Sequence, residues 1–206
     1  MSVQNGKDKK AEKRSLFLQA ARKIFAKKGF QATNVSDIVA EVDSGQGTFY
    51  YHFKDKQAIF DVLMLDFIGE LALAAAKSAS ASSGRPALAD RALAIESARA
   101  IAAVFMDNMD LAELYFRESK YIGGAAATAL ETFYNVMYAQ IETGLREGLA
   151  TGDVREGLDP YFAARCFVGA AERVIYDVIR SGRDIPLETI TEQIVDFQSH
   201  GILKAG

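Results

Sequence analysis

Residues 46–53 hold a dense set of hydrogen-bonding side chains, in the order Gln-Gly-Thr-Phe-Tyr-Tyr-His-Phe. Phe49 and Phe53 are four positions apart, so on a helix they share one side and we expect them to face a core. The amide, hydroxyl and imidazole groups are then left outside, where they can bind phosphate oxygens and base edges of DNA. This outer set comprises Gln46, Thr48, Tyr50, Tyr51 and His52. For Tyr50 the alternative is a ring packed inside the domain, with its hydroxyl at the rim.

Two preceding segments are placed to hold this helix. A first helix carries apolar residues at helical spacing and is expected to end at Gly29; its apolar residues are Phe17, Ala20, Ala21, Ile24 and Phe25. A short second helix is expected to begin near Thr33, whose hydroxyl suits an N-cap, and Asp43-Ser44-Gly45 ends it. Two short helices joined by such a turn, behind a longer one, form a helix-turn-helix, whose last helix enters the major groove.

Charge is divided unevenly along the chain. Residues 1–56 contain 11 Lys and Arg against 6 Asp and Glu, a net charge of +5. Residues 57–206 contain 13 against 21, a net charge of −8. A basic end joined to an acidic remainder favours an anionic partner for the first part alone. The alternative is that the N-terminal lysines only keep the chain in solution. We expect residues 1–12 to form a flexible basic arm.

Residues 14–66 resemble the N-terminal domain of the TetR family of repressors. The resemblance rests, in order and spacing, on Ala20-Ala21, Phe25, Gly29-Phe30, Ala32-Thr33, Val35, Asp37-Ile38 and Gly47-Thr48-Phe49-Tyr50-Tyr51-His52-Phe53-Lys54-Asp55-Lys56. One departure is the turn Val42-Asp43-Ser44, where family members usually have Ala-Gly and then an apolar residue. Asp tolerates unusual backbone angles, so the turn is expected to survive. Gly45 replaces the more common Ser and removes a side-chain cap.

The resemblance implies a role for each matched residue. Thr33 would donate to a phosphate at the positive end of the second helix, and Lys56 would pair with another phosphate. The tyrosines and the histidine would contact backbone and base edges, while Gln46 and Thr48 approach bases. The implied DNA-contacting set is Thr33, Gln46, Gly47, Thr48, Tyr50, Tyr51, His52 and Lys56. Charge alone, apart from the resemblance, suggests that Lys9, Lys10, Lys13 and Arg14 reach the flanking backbone.

The whole chain is expected to be all-α, with about nine helices, because it has only three prolines and many alanine-rich stretches. We expect an N-terminal three-helix helix-turn-helix DNA-binding domain at residues 1–55. A C-terminal helical domain for effector binding and dimerisation is expected at residues 56–206. This second part resembles the family only in its layout.

Aromatic and methionine side chains are concentrated in the second domain, which is typical of an adaptable apolar pocket between helices. Ordinary core packing is the alternative for each of them. The predicted effector pocket comprises Phe105, Met109, Phe116, Tyr134, Met137, Tyr138, Phe167, Arg173 and Tyr176. Arg173 would bind either a ligand carboxylate or an acid of its own chain. The effector is expected to be small and hydrophobic, either a lipid of the fatty acyl-CoA type or an aromatic, drug-like compound.

The last two helices are the dimerisation surface that the resemblance implies. Small and apolar residues there would allow close approach of a second copy: Ala163, Ala170, Ala171, Ile194 and Phe197. Two DNA-binding domains in a homodimer fit a palindromic double-stranded operator with half-sites about one helical turn apart. The predicted function is therefore a DNA-binding repressor that a small effector releases. A constitutive DNA-binding regulator without an effector is the alternative.

Other classes of protein are disfavoured. The sequence has no glycine-rich phosphate loop and no recognisable nucleophile motif, so we expect no enzyme, no catalytic residue and no cofactor. Its two histidines lie far apart, so no metal site is expected. A non-DNA interaction module is disfavoured by the charge division and the exposed helix. No stretch suits a membrane span or a secretory signal, so we expect a cytoplasmic bacterial protein that associates with the nucleoid when bound to DNA.

Overall fold

A computed structural model describes residues 2–81 and 90–202. These residues form nine α-helices and one short 3₁₀ helix, Ser119–Tyr121, without a β-strand, so the all-α prediction is confirmed. The α-helices are α1 Ser2–Lys28, α2 Val35–Glu41, α3 Gln46–His52, α4 Lys56–Ala81, α5 Arg91–Asp107, α6 Met109–Glu118, α7 Gly124–Thr151, α8 Pro160–Ser181 and α9 Leu187–Ile202. Within the described ranges, none of these helices has the length and apolar character needed to cross a membrane.

The chain divides into two compact units. Unit 1 contains Met1–Phe67 and Asp110–Thr128, and unit 2 contains Ile68–Met109 and Ala129–Gly206. The division differs from the boundary that we expected at residue 55. Unit 1 also holds the first turns of α4, nearly all of α6 and the start of α7.

The core of unit 1 is aromatic. The rings of Phe25 and Phe60 meet edge to face with their centroids 5.7 Å apart, and both rings are fully buried. Phe30 packs on Phe60 at a centroid distance of 4.5 Å. Further along α4, Phe67 contacts Tyr115 of α6, which is how residues 110–128 join this core. Helix α1 begins at Ser2, so the structure has a helix where we expected a flexible arm over residues 1–12.

Helix ends in unit 2 follow the capping chemistry of the sequence. Asp159 accepts hydrogen bonds from the amides of Tyr161 and Phe162 ahead of Pro160, and Gly182 closes α8 at φ 62°. Asp90 caps α5 in the same way. Helix α5 packs against α9, and α8 packs against both. One apolar cluster of this unit joins Val178, Ile190 and Ile194, and a second joins Leu145, Val154 and Ala163.

Candidate nucleic-acid interface

The turn between α2 and α3 is made by an aspartate in a left-handed conformation. Asp43 has φ 43°, a region that glycine enters without strain and that Asp and Asn enter more readily than other residues. The amide of Ser44 donates to the carbonyl of Val39 at 3.2 Å and so closes the end of α2. Gly45 is the N-cap of α3 without a side-chain hydrogen bond, and its carbonyl accepts from the amide of Thr48 at 3.0 Å. The unusual turn therefore keeps the helix-turn-helix geometry.

One side of α3 is anchored in the core of unit 1. Phe49 is fully buried and Phe53, which follows the helix, is 4% exposed. The ring of Phe17 on α1 meets Phe49 edge to face, with centroids 5.6 Å apart. Such aromatic pairs favour one relative orientation, so they fix how α3 is rotated about its own axis. The opposite side of α3 is thereby presented outward.

That outward side carries the predicted polar residues. Tyr50 and Tyr51 are 53% and 67% exposed, so Tyr50 does not pack inside the domain. Gln46 and Gly47 are also exposed, and Thr48 is half-buried. A Cβ atom added at Gly47 would meet nothing within 4 Å, so no contact inside the described protein requires a glycine there. Large exposed tyrosines on a seven-residue helix are unusual unless another molecule covers them.

His52 differs from its neighbours because it is half-buried. Its ring lies 5.9 Å from that of Phe17 and 5.1 Å from that of Tyr51. Its Nδ1 atom is buried and has no hydrogen-bond partner among the described residues. Burial lowers the pKa of His52 below its usual 6.5, and the charges of Lys10, Arg14 and Lys13 lower it further. The imidazole is therefore neutral near pH 7.

Thr33 is not available to a phosphate through its side chain. It is fully buried, and its hydroxyl donates to the carbonyl of Gly29 at 2.7 Å. The N-cap of helix α2 is Asn34, one residue after Thr33, and the amide of Asn34 donates to the carboxylate of Asp37 at 2.9 Å. The spacing Asn-x-x-Asp was the signal for this cap in the sequence. The pKa of Asp37 is lowered by that hydrogen bond and by Lys28.

The ammonium group of Lys56 also binds within unit 1. Its Nζ atom donates to three carbonyl oxygens, those of Phe30 at 2.7 Å, Gln31 at 3.3 Å and Thr33 at 2.7 Å. The same atom lies 4.5 Å from the centroid of the Phe30 ring. An ammonium has only three N–H donors, so none remains for the phosphate that the resemblance implied. Burial lowers its pKa, which agrees with an ammonium held away from water.

The predicted pocket residues do not all belong to one unit. Phe105 is buried in unit 2, and five more of the predicted residues in that unit are half-buried: Tyr134, Met137, Tyr138, Phe167 and Tyr176. Phe116 belongs to unit 1, and Met109 is 51% exposed. Arg173 is exposed and forms an ion pair with Asp177 at 3.0 Å, so the internal salt bridge is the alternative that the structure shows.

Polar partners hold the tyrosines of α7. The hydroxyl of Tyr134 donates to Glu172 at 2.6 Å, and the Tyr134 and Tyr138 rings stack with centroids 5.8 Å apart. The guanidinium of Arg165 lies 4.5 Å from the Tyr138 ring and donates to Glu142 at 2.9 Å. Burial and the negative charge of Glu172 raise the pKa of Tyr138. These contacts tie α7 to α8 within unit 2.

The predicted dimer residues divide between core and surface. Ala163 and Ile194 are buried in the two apolar clusters of unit 2, and Ala171 packs against one of them, so these three contact their own protomer. Ala170 is half-buried. Phe197 is 77% exposed, and Phe162 and Val174 of α8, which we had not singled out, are 66% and 42% exposed. Apolar residues that recur along α8 were the sequence signal for this exposed surface, and we missed it.

Helices α1 to α3 have the arrangement of a helix-turn-helix: a short helix with an exposed polar side is held by two others. This arrangement is typical of the DNA-binding domains of transcription regulators. Residues 17–63 match the family described as bacterial regulatory proteins, tetR family. The match covers α2 and α3 completely, together with the parts of α1 and α4 that pack on them.

Relatives match nearly the whole chain. The uncharacterised HTH-type transcriptional regulator YdgC of Bacillus subtilis is 27% identical over 97% of this chain and 97% of its own length. The HTH-type transcriptional repressor KstR2 of Rhodococcus jostii is 22% identical over 94% of this chain and 92% of its own. The structure of the regulator FadR from Bacillus subtilis in complex with stearoyl-CoA has the same fold, with a TM-score of 0.69, 18% identity and coverage of 91% and 98%.

Proposed function

We propose that this chain is a transcriptional repressor that binds a palindromic operator as a homodimer, with α3 of each protomer in the major groove. The observation that carries the proposal is the outward side of α3, where Tyr50 and Tyr51 are more than half exposed on a helix anchored by buried Phe49. Hydroxyls suit phosphate oxygens, and the amide of Gln46 suits the paired donor and acceptor of adenine. Open space beside Gly47 lets a DNA strand approach the backbone of α3 closely.

The homodimer would form through exposed apolar side chains of α8 and α9. Successive residues of the set Phe162, Cys166 and Gly169 are four and three positions apart, so all three lie on one side of α8. Gly169 is in the middle of a helix, and a Cβ there would meet nothing within 4 Å of its own chain. A glycine costs a helix roughly 0.5–1 kcal/mol relative to alanine, which a close helix from a second copy would offset. Phe197 of α9 adds exposed apolar area.

The effector would bind in unit 2 and is a small hydrophobic molecule. Half-buried Tyr134, Met137 and Tyr138 follow one side of α7, and Phe105 of α5 is apolar and buried. The complex of FadR with stearoyl-CoA, and the similarity of this chain to it, favour a fatty acyl-CoA over an aromatic, drug-like compound. Binding would favour a conformation in which the two α3 helices no longer fit successive major grooves. We place the protein in the bacterial cytoplasm, bound to the nucleoid through its operator.

The test of DNA binding begins with duplexes that the wild-type protein selects from a random-sequence library. Replacement of Tyr51 by Ala is expected to weaken binding to the selected duplex at least about tenfold, since about 1.4 kcal/mol is lost with a pair of good contacts. Tyr161→Ala is a matched control, because Tyr161 is a similarly exposed tyrosine of unit 2, 51% exposed. Failure to select any duplex, or equal affinities of both variants and the wild type, would show that α3 is not the interface.

The effector is tested on the same duplex. Stearoyl-CoA at micromolar concentration is expected to release the protein, whereas free CoA is not, since it has no acyl chain. Mass spectrometry under native conditions should then show one acyl-CoA bound per protomer. Release by an aromatic dye but not by stearoyl-CoA would favour the drug-like class. A protein that no such compound releases would be the constitutive regulator.

A further inference from the structure

Helix α1 extends well before the core of unit 1. Its first buried side chain among those described is Phe17, although the helix begins at Ser2. At about 1.5 Å of rise per residue, Lys10 lies roughly 10 Å from Phe17 along the helix axis. This N-terminal part is basic, with Lys9, Lys10 and Arg14 exposed and Lys13 half-buried.

The basic side chains continue the side of α1 that faces α3. At about 100° per residue, Lys10, Lys13 and Arg14 all lie within about 60° of Phe17 around the helix. Phe17 packs on Phe49 of α3. The side of α1 that is apolar next to α3 is therefore basic in the N-terminal part of α1, beyond the contact with α3. Glu12 lies about 140° away from Phe17 by the same count, so its charge is on the other side.

Direct contacts join two of these cations to α3 and to the residue that follows it. The Nζ atom of Lys10 lies 4.6 Å from the centroid of the Tyr51 ring, and the guanidinium carbon of Arg14 lies 5.0 Å from that of Phe53. The charges of Lys10, Arg14 and Lys13 are also close enough to lower the pKa of His52. The basic side of α1 and the outward side of α3 are thus one continuous surface.

The four cations have no acidic partner within the part of the chain that the structure describes. Other basic residues of α1 do: Arg22 pairs with Asp110, Lys23 with Glu41 and Lys28 with Asp37. A cation over an aromatic ring keeps its N–H donors for an anion from outside. Charge and position together fit a row of phosphates beside the groove that α3 enters.

We propose that Lys9, Lys10, Lys13 and Arg14 form a second DNA-contacting surface on α1, which binds the phosphate backbone next to the bases that α3 contacts. The inference rests on the proposed function, since it takes DNA as the partner of α3. It adds affinity that does not depend on base sequence.

The experiment measures how DNA affinity depends on salt, with a duplex that the wild-type protein selects from a random library. Each phosphate contact contributes about −0.9 to the slope of log Kobs against log salt concentration. The double variant Lys10→Gln/Lys13→Gln removes two cations per protomer, and so four per dimer. The slope is expected to become shallower by about 3 to 4, and affinity at low salt is expected to fall at least about tenfold. The preference for the selected duplex over a scrambled one should be largely kept.

Two further variants separate the possible causes. Lys27→Gln makes the same change of charge near the other end of α1, at an exposed residue, and should keep the wild-type slope. Lys10→Arg/Lys13→Arg keeps the charge and should restore most of the slope, which would not happen if the helix itself were lost. A double Gln variant with the slope of Lys27→Gln would overturn this inference while leaving α3 as the interface. If the wild type selects no duplex, it is the proposed function that fails.

Discussion

Arg22 on α1 donates two hydrogen bonds to the carboxylate of Asp110 on α6, its Nε at 2.6 Å and one terminal nitrogen at 2.5 Å. The two residues are 88 positions apart in the chain. At the other end of α6, the buried carboxylate of Glu118 accepts from the amide of Phe30 at 3.3 Å. Helix α6 is therefore attached at both ends to the helices that carry α3. It is part of unit 1 although it follows α5 in sequence.

Replacing Asp110 by Asn is expected to lower the free energy of unfolding by about 1 kcal/mol, because a two-point ion pair is lost. Both side chains are more than a third exposed, which keeps the effect small. Burial alone would raise the pKa of Asp110, but Arg22 lowers it below 3.8. This contribution is therefore complete at neutral pH and is lost as the pH falls through the folded-state pKa.

Urea denaturation at pH 7 measures the change for Asp110→Asn. Glu113→Gln is the control on the same helix, since Glu113 forms an exposed ion pair with Arg117 one turn away. That variant should change stability by less than about 0.5 kcal/mol. Equal effects of the two variants would mean that the Arg22–Asp110 pair is an ordinary surface pair.

Replacing Lys56 by Met should destabilise unit 1 by about 2 kcal/mol, because three carbonyl oxygens lose their donor. Lys54→Met is the control, since Lys54 is exposed two positions earlier. Thermal and urea unfolding measure the difference. If Lys56→Met has normal stability but binds DNA weakly, Lys56 binds a phosphate, as the resemblance implied.

The sequence predicted the helices and the buried side of α3 because their signals are local. Phe49 and Phe53 share a side by spacing alone, and Gly29 ends α1 by its backbone freedom. Residue type did not reveal whether a side-chain donor already has a hydrogen-bond acceptor within the protein. Thr33 and Lys56 both donate to carbonyl oxygens of nearby turns. Nor could spacing show which side of α9 faces inward, since Ile194 and Phe197 are three positions apart, yet the first is buried and the second exposed.

Contacts between distant segments had no local signal. Arg22 and Asp110 are unremarkable charged residues in sequence, and their pairing depends on how α6 packs in unit 1. For the same reason the sequence did not indicate that residues 110–128 belong to the first compact unit.

Gly47→Ala separates the needs of the fold from those of DNA binding. A Cβ at this position meets nothing in the described protein, and alanine is a better helix former. Stability is therefore expected to stay constant or rise by about 0.5 kcal/mol. Affinity for the selected duplex should fall at least about tenfold, because the added methyl group lies where DNA approaches.

Gly69→Ala is the matched control for Gly47→Ala. Gly69 is exposed in the middle of α4 and also has open space beside it, so stability should rise without a loss of affinity. Denaturation and fluorescence anisotropy measure the two quantities. Unchanged affinity in Gly47→Ala would exclude close approach of DNA at this position.

The turn at Asp43 should tolerate Asn but not a β-branched residue. Its φ of 43° costs most side chains about 1–2 kcal/mol, whereas Asn and Asp enter this region more readily. Asp43→Val is therefore expected to lower the free energy of unfolding by about 1–2 kcal/mol, and Asp43→Asn to change it little. Equal stabilities of the two variants would show that the left-handed conformation is not required for the turn.

His52 should make stability depend on pH in the range just below neutral. Burial, followed by the charges of Lys10, Arg14 and Lys13, lowers its folded-state pKa below the usual 6.5. As the pH falls through 6.5, the unfolded chain binds a proton at this residue that the folded chain does not. The contribution to stability is therefore complete above pH 6.5 and is lost towards the folded-state pKa.

Urea denaturation between pH 7.5 and about 5 should show this loss in the wild type and a flatter dependence in His52→Gln. His200→Gln is the control, since His200 is exposed on α9 and should keep the wild-type dependence. High salt screens the three cations, so it should raise the pKa of His52, measured by NMR, towards its usual value. A His52 pKa at or above 6.5 at low salt would contradict both its burial and the nearness of the basic side of α1.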